Sequence, residues 1–238
     1  MDRALALLDA LAKVPHPVSA KFLARRLDCA LSTIYSLLAA LTARGYAART
    51  ANGYTLGPEV PALYRAFQRQ LALGPTEREL LQQVRDTVGT EAYLSMYRSG
   101  QIAVLDSTLP LTASVDPFPV GRDLNAHATA HGKVLLASLP RESRQRYLQA
   151  HGMTRWTART ITDPEDFESE VVQVRRRGVA VSVGEVVPAF TCIAVPVPGR
   201  GRKEPVRALS VSLPTDDYAR GHLRVAAALT RAAATLSG

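Results

Sequence analysis

Cysteine is scarce in this chain of 238 residues. Only Cys29 and Cys192 occur, too few for a zinc ribbon or finger. They fall in different halves, which argues against a structural disulfide and fits a reducing compartment. Long apolar runs are missing as well, so nothing reads as a membrane span. The N-terminus has no basic lead into an apolar stretch with a cleavage site, so the chain is expected to stay in the cytoplasm, off the membrane. Internal repeats and low-complexity tracts are also lacking. What remains is 47% hydrophobic and 21% charged, enough to bury a sizeable core, and the length suggests two domains.

The formal net charge is +8, and its placement is informative. Residues 1–75 carry nine Lys and Arg against four Asp and Glu; the rest carries 20 against 17. The excess sits in the smaller N-terminal part, where Arg25, Arg26, Arg44 and Arg49 are candidates for phosphate contacts, because a duplex rewards each neutralised phosphate by counterion release. A solvated basic surface without a ligand is the alternative for any one of them.

That same part reads as a helix-turn-helix closed by a hairpin. Ser19 is a good N-cap, and Phe22, Leu23 and Leu27 are expected on the buried side of a short helix, with small Ala24 at a close helix approach. Asp28, Cys29 and Ala30 form a tight connection. A second helix over 31–44 places Ile34, Leu37, Leu38 and Leu41 at i, i+3, i+4 and i+7. Ser32, Thr33, Tyr35 and Ser36 crowd its opposite face near the N-terminus, where side chains and free N–H groups can reach base edges and phosphates. Gly45 suits a C′ position, and Asn52-Gly53 is a strong hairpin signal between strands at 46–49 and 54–56. A winged helix uses its second helix to read the DNA major groove. A small helical bundle with an incidental hairpin is the other reading.

Around this unit, 2–13 reads as an opening helix with Leu5, Leu8 and Leu11 on one side, stopped by Pro15 and Pro17. A helix over 58–73 has Val60, Leu63, Tyr64, Phe67 and Leu71 on its apolar face and ends at Gly74-Pro75; it reads as a linker able to pair with a second copy of itself. Thr76-x-x-Glu79 resembles a capping box opening a helix to about 88. Beyond it, 91–98 and 101–107 flank Ser99-Gly100 as a hairpin. Helices are expected at 127–139, 163–177 and 218–236, and strands at 179–183, 191–197 and 206–213. Strands and helices without regular alternation predict an α+β fold around an antiparallel sheet. The division is 1–57 for the winged helix, 58–75 for the linker and 76–238 for a sensor-like domain.

The C-terminal part holds the run Ala126-His127-Ala128-Thr129-Ala130-His131-Gly132-Lys133-Val134-Leu135-Leu136-Ala137. Arg177-Gly178-Val179-Ala180-Val181, Glu185, Cys192-Ile193-Ala194-Val195-Pro196-Val197 and Ala208-Leu209-Ser210-Val211-Ser212 follow in order. With the winged helix, this resembles the IclR family of bacterial transcriptional regulators over nearly the whole chain. The resemblance implies a linker helix and a C-terminal GAF-like α/β domain with an antiparallel sheet that binds a small-molecule effector. It also implies a homodimer or homotetramer on a double-stranded DNA operator, with no cofactor and no catalysis. The regulator is expected to be a repressor. The chain departs from the family pattern at Ser36, where Arg is frequent, at Ser182, ten residues before the cysteine, where an acid is frequent, and at His131, where a small or apolar residue is common.

By resemblance, the effector pocket is built from Ala128, Thr129, Ala130 and His131 at a helix start, from Ser182 and Glu185, and from Cys192, Ser210 and Ser212. Period 2 puts the last two serines on one strand face, and a buried hydroxyl needs a partner. The helix start adds N–H donors and a positive dipole end, which favour a small organic acid. Serines bonded to neighbouring backbone are the alternative. Cys192 alone reads as a small buried hydrophobe. Two minor readings stay open: a metal sensor using His127, His131 and Cys192, and a hydrolase with Cys192 as nucleophile, His131 or His127 as base and Glu185 as orienter.

Overall fold

The structure, a computed structural model, describes residues 1–71, 74–110, 118–123, 125–197 and 206–236. The chain divides into two compact units, Met1–Gly74 and Pro75–Gly238. Among the described residues no helix is long and apolar enough to cross a membrane.

The first unit contains α1 (Asp2–Ala12), α2 (Ala20–Arg26), α3 (Leu31–Ala43), β1 (Ala47–Thr50), β2 (Gly53–Leu56) and α4 (Glu59–Gln70). Its core joins Leu7, Ala10 and Leu11 of α1 to Leu23, Ile34, Leu38 and Ala47. The face of α1 is therefore rotated from the expected one, since Leu5 is 56% exposed while Leu7 is sealed. Small Ala10 completes the buried stripe, and a pattern that counts only leucines overlooks it. Phe22, expected inside, also lies on the surface of α2, whereas Leu23 is sealed. β1 and β2 pair antiparallel from Ala47↔Leu56 to Thr50↔Gly53. Val18 adds a third, one-residue rung by exchanging two backbone hydrogen bonds with Tyr54. Gly53 has φ +134°, and a Cβ there would stand 2.4 Å from the Val18 carbonyl oxygen. This approach explains the glycine in the Asn52-Gly53 turn. α4 has no buried residue; residues 72 and 73 of the expected helix lie outside the described residues.

The second unit contains α5 (Pro75–Val88), β3 (Ala92–Arg98), β4 (Gln101–Ser107), β5 (Gly121–Arg122), α6 (Ala130–Ala137), α7 (Arg141–His151), α8 (Pro164–Arg177), β6 (Ala180–Val183), β7 (Phe190–Val197), β8 (Val206–Pro214) and α9 (Thr215–Thr235). The six strands form one antiparallel sheet in the order β5-β4-β3-β8-β7-β6. α6 packs on β6, β7, β8 and α8, while α5 and α9 pack on β3 and on β7 and β8. Period 2 separates the two faces. Cys192, Ala194 and Ala208 join α6 in one core cluster with Phe167, Val171 and Val174 of α8. Their neighbours Ile193, Val195, Leu209 and Val211 are equally buried and point to the opposite face.

Four elements correct the expectations. α5 begins at Pro75, so Thr76 lies inside its first turn and is not the N-cap. The helix expected from 127 begins at Ala130, with Thr129 as N-cap. α7 and the two-residue β5 were not anticipated.

Candidate functional site: a bare reading helix and a buried polar floor

Ser19 accepts a hydrogen bond from the Phe22 N–H and starts α2. Asp28 turns the chain at φ 48°, and the Cys29 N–H is held by the Ala24 carbonyl. α3 then opens from Ala30 without a side-chain cap, so its first-turn N–H groups have no intrahelical or side-chain acceptor. Ser32, Tyr35 and Ser36 are exposed and Thr33 is half-buried, while Ile34 and Leu38 turn inward. The Ser36 hydroxyl donates back to the Ser32 carbonyl, which leaves its lone pairs outward. Arg25, Arg26, Arg44 and Arg49 are all exposed, and no ion pair among the described residues engages any of them. The first unit thus brings four side chains together on one helix face, with four free guanidinium groups on the same winged helix.

The second unit does the reverse and buries its polar side chains. The register sets Ser182, Cys192 and Ser212 in one cross-strand row, and Ala194, Ser210 and Tyr93 in the next. All four of the expected strand residues in these rows are sealed: Ser182 at 4% exposure, Cys192 at 3%, Ser210 at 1% and Ser212 at 5%. The Ser182 hydroxyl donates to the Ala128 carbonyl at 2.6 Å and pins the segment before α6 to the sheet. Burial pushes the Cys192 thiol up to about 12, with Ser212 beside it at 3.7 Å. It stays a thiol and is no nucleophile.

The expected helix-start donors are only partly available. The Ala128 N–H is already bound by the Asn125 carbonyl, and Thr129 Oγ1 accepts the Gly132 N–H. Ala130 and His131 are left as the first-turn residues, whose N–H groups lack an intrahelical acceptor. Gly132 is fixed by packing: a Cβ there would lie 2.2 Å from the Ala126 carbonyl oxygen.

Charged residues that the sequence did not flag organise this region. Lys133 is 1% exposed; its ammonium pairs with Glu185, with Glu170 at 3.2 Å, and with the Val181 carbonyl. Glu185 was expected at the ligand, but Lys133 holds it. Burial raises its carboxyl above the ordinary range, against the pull of that ammonium. Asp123 accepts the Asn125 N–H at 2.7 Å, the Thr129 hydroxyl at 3.0 Å and His131 Nε2 at 2.9 Å. Burial pushes its pKa up, but the hydrogen bonds it accepts from His131, Asn125 and Thr129 bring it below the usual carboxylate range. Arg144, 2% exposed, grips Glu168 and the carbonyls of Leu136 and Leu139.

The metal and hydrolase trios are not assembled. His127 precedes α6 instead of sharing it with His131, so the i, i+4 argument fails, and its Nε2 faces the Thr154 carbonyl. His131 is tied to Asp123 and Glu185 to Lys133. Among the described residues no three His, Cys, Asp or Glu side chains converge on a metal position.

A winged helix with a bare reading face, joined in one chain to an α+β unit, defines the class: a DNA-binding protein with an appended sensor-type domain. Residues 69–238 match the C-terminal domain of the bacterial transcriptional regulator IclR, and residues 1–51 match the IclR helix-turn-helix domain. The chain belongs to the IclR family and is an IclR-type DNA-binding transcriptional regulator, not an enzyme. The HTH-type transcriptional regulator BhcR of Paracoccus denitrificans is 32% identical over 199 residues, covering 83% of this chain and 71% of that one. The IclR transcriptional regulator of Alicyclobacillus acidocaldarius superposes with a TM-score of 0.78 at 26% identity, covering 99% and 96% of the two chains. An IclR homologue from Microbacterium hydrocarbonoxydans, crystallised with 4-hydroxybenzoate, shares the fold with a TM-score of 0.75 at 22% identity, covering 97% and 94%.

Proposed function

We propose that this regulator is a repressor released from or retained on its operator by a small organic acid bound in the C-terminal unit. The observation that carries this reading is the polar floor of Ser182, Cys192, Ser210 and Ser212 beneath the segment of Ala128, Thr129, Ala130 and His131. Hydroxyls in an otherwise apolar wall suit a ligand with few polar groups, and the uncapped N–H groups of the first turn suit a carboxylate. The carboxylate found on the Microbacterium homologue supports the same ligand class. Glu185 acts here by orienting Lys133.

In the N-terminal unit, Ser32, Thr33, Tyr35 and Ser36 read bases while Arg25, Arg26, Arg44 and Arg49 hold phosphates. The division at 1–57, 58–75 and 76–238 assigns α4 to a linker. Its exposed Leu63 and Phe67, at 55% and 39%, give it an unpartnered apolar stripe suited to a homodimer or homotetramer. The ligand alters DNA affinity only through its different affinity for the DNA-competent and incompetent arrangements. The test is thermal-shift screening of small carboxylic acids, then DNA binding with the best hit. Ser210→Ala with Ser212→Ala should abolish the ligand's effect and leave ligand-free DNA binding intact. A double variant that responds like wild type would place the pocket elsewhere.

A further inference from the structure

His131 is unusual in having one nitrogen fully committed and the other left with nothing. Its side chain is 1% exposed. Asp123 faces Nε2 at 2.9 Å and already accepts from Asn125 and Thr129. An ionised carboxylate only accepts, so Nε2 carries the hydrogen, and in the neutral ring Nδ1 is a lone pair. That atom is buried without a hydrogen-bond partner. The ring edge-packs on Phe118 at 5.3 Å, and Phe118 in turn edge-packs on Tyr93 at 5.5 Å. Tyr93 stands opposite Ser210 across the sheet. Ser95, two residues along the same face, is also sealed with its hydroxyl unpartnered. A buried polar atom left without a partner is unfavourable, and here two such atoms flank the floor assigned to the effector.

We propose that His131 is a specificity-determining residue of the effector site: its Nδ1 accepts a hydrogen bond from a hydroxyl of the ligand. The effector is therefore a hydroxylated carboxylic acid and not a simple one. Asp123 is the positioning residue, because it fixes the ring's tautomer and orientation through Nε2. Thr129 braces Asp123 while capping α6. This inference rests on the pocket proposed above, but it differs in what it demands of the ligand. A site built to accept from a hydroxyl discriminates against the analogue lacking it, since the acceptor would otherwise stay buried and unpaired.

The experiment is calorimetry on the full-length protein with matched acids: glycolate against acetate, lactate against propionate, and 4-hydroxybenzoate against benzoate. In at least one pair the hydroxylated acid should bind about tenfold or more tightly. His131→Gln keeps a group at the Nε2 position for Asp123 and removes the acceptor at Nδ1, so it should erase the preference while the acid still binds. His131→Asn keeps a polar group near Nδ1 and loses Asp123, so part of the preference should survive. Equal affinities within every pair, or an unchanged preference in His131→Gln, would overturn the assignment while leaving the pocket standing. A site that binds no acid of either kind would overturn the pocket and this inference together. A preference for the unsubstituted acid that grows as pH falls would mean that Nδ1 donates to a carboxylate, and would also overturn it.

Discussion

The two halves of this regulator place their polar groups in opposite ways. On the winged helix, Ser32, Tyr35, Ser36 and the four arginines point outward, and the arginines keep their charges without an ion pair among the described residues. In the C-terminal unit, Lys133, Arg144, Asp123, His131 and the floor serines are sealed, and most are tied to a named partner. A surface that must meet a polyanion keeps its charges solvated until contact, because counterion release supplies the driving force. An interior that must recognise a small molecule needs its polar groups held in place beforehand, because an unpaired one there is costly. Substitutions should therefore act on stability in one unit and on binding in the other.

The largest expected effect lies in the buried half. Lys133→Ala leaves Glu185 and Glu170 facing each other without their ammonium, and breaking a buried pair in this way costs about 3–5 kcal/mol. Chemical denaturation should show that loss, while ligand-free DNA affinity of the folded fraction stays within about twofold. A change below about 0.5 kcal/mol would remove the network from the unit's stability. Asp123 supplies a pH-dependent companion. Its folded pKa is lowered, so its contribution is complete above the ordinary value of 3.8 and is lost as pH falls through the lower folded value. Glu185, raised by burial, works in the opposite sense and favours the folded state as it takes up a proton. Asp123→Asn should flatten the acid limb of a stability-against-pH curve; an unchanged limb would assign that limb to other carboxylates.

The next effect belongs to the reading face. Thr33→Ala or Tyr35→Ala should relax preference at particular base positions by about 1–3 kcal/mol, with little change in thermal stability. Selection from random duplexes would measure it, and unchanged preference in both variants would move base reading off this face.

The same contrast explains what was legible in the sequence. The winged helix was visible because exposed polar and buried apolar residues alternate with a helical period, and because its turn residues have local causes. Gly45 takes φ +74° after α3 and Gly53 takes φ +134° in the wing. The antiparallel sheet, the Ser99-Gly100 hairpin and the helix at 163–177 were legible for the same reason. α7 escaped because its buried side is Arg144, Tyr147 and Leu148: the spacing is helical, but an arginine in the stripe breaks the hydrophobic pattern. Pro140 before it was the available signal. β5 has two residues, too few for a period. The start of α6 was misplaced because an alternation of Ala with His and Thr carries no helical period; Thr129 three residues before Gly132 was the capping cue. At the candidate site, Ser182 and Cys192 were named by the family resemblance, and strand alternation put Ser210 and Ser212 on one face. Lys133, Asp123 and Arg144 were not, since nothing local marks a charged residue as buried until its partner, tens of residues away in two of the three cases, is known.

The smallest expected effect separates the arginines from the reading residues. Each guanidinium is exposed and without an intramolecular ion pair, so removing one changes no fold contact and shifts stability by less than about 0.5 kcal/mol. Arg26→Ala and Arg44→Ala should weaken binding to specific and non-specific duplexes alike, and should each reduce the slope of log affinity against log salt by about one unit. Arg49, on the wing strand β1, should do the same without altering which sequences are selected, because a phosphate contact carries no base information. A gel-shift series across salt concentrations measures the slope. If the wild-type slope is flat, the exposed basic surface is solvated and idle. If Arg49→Ala changes sequence preference instead, the wing reads bases and the division of labour between helix and wing is wrong.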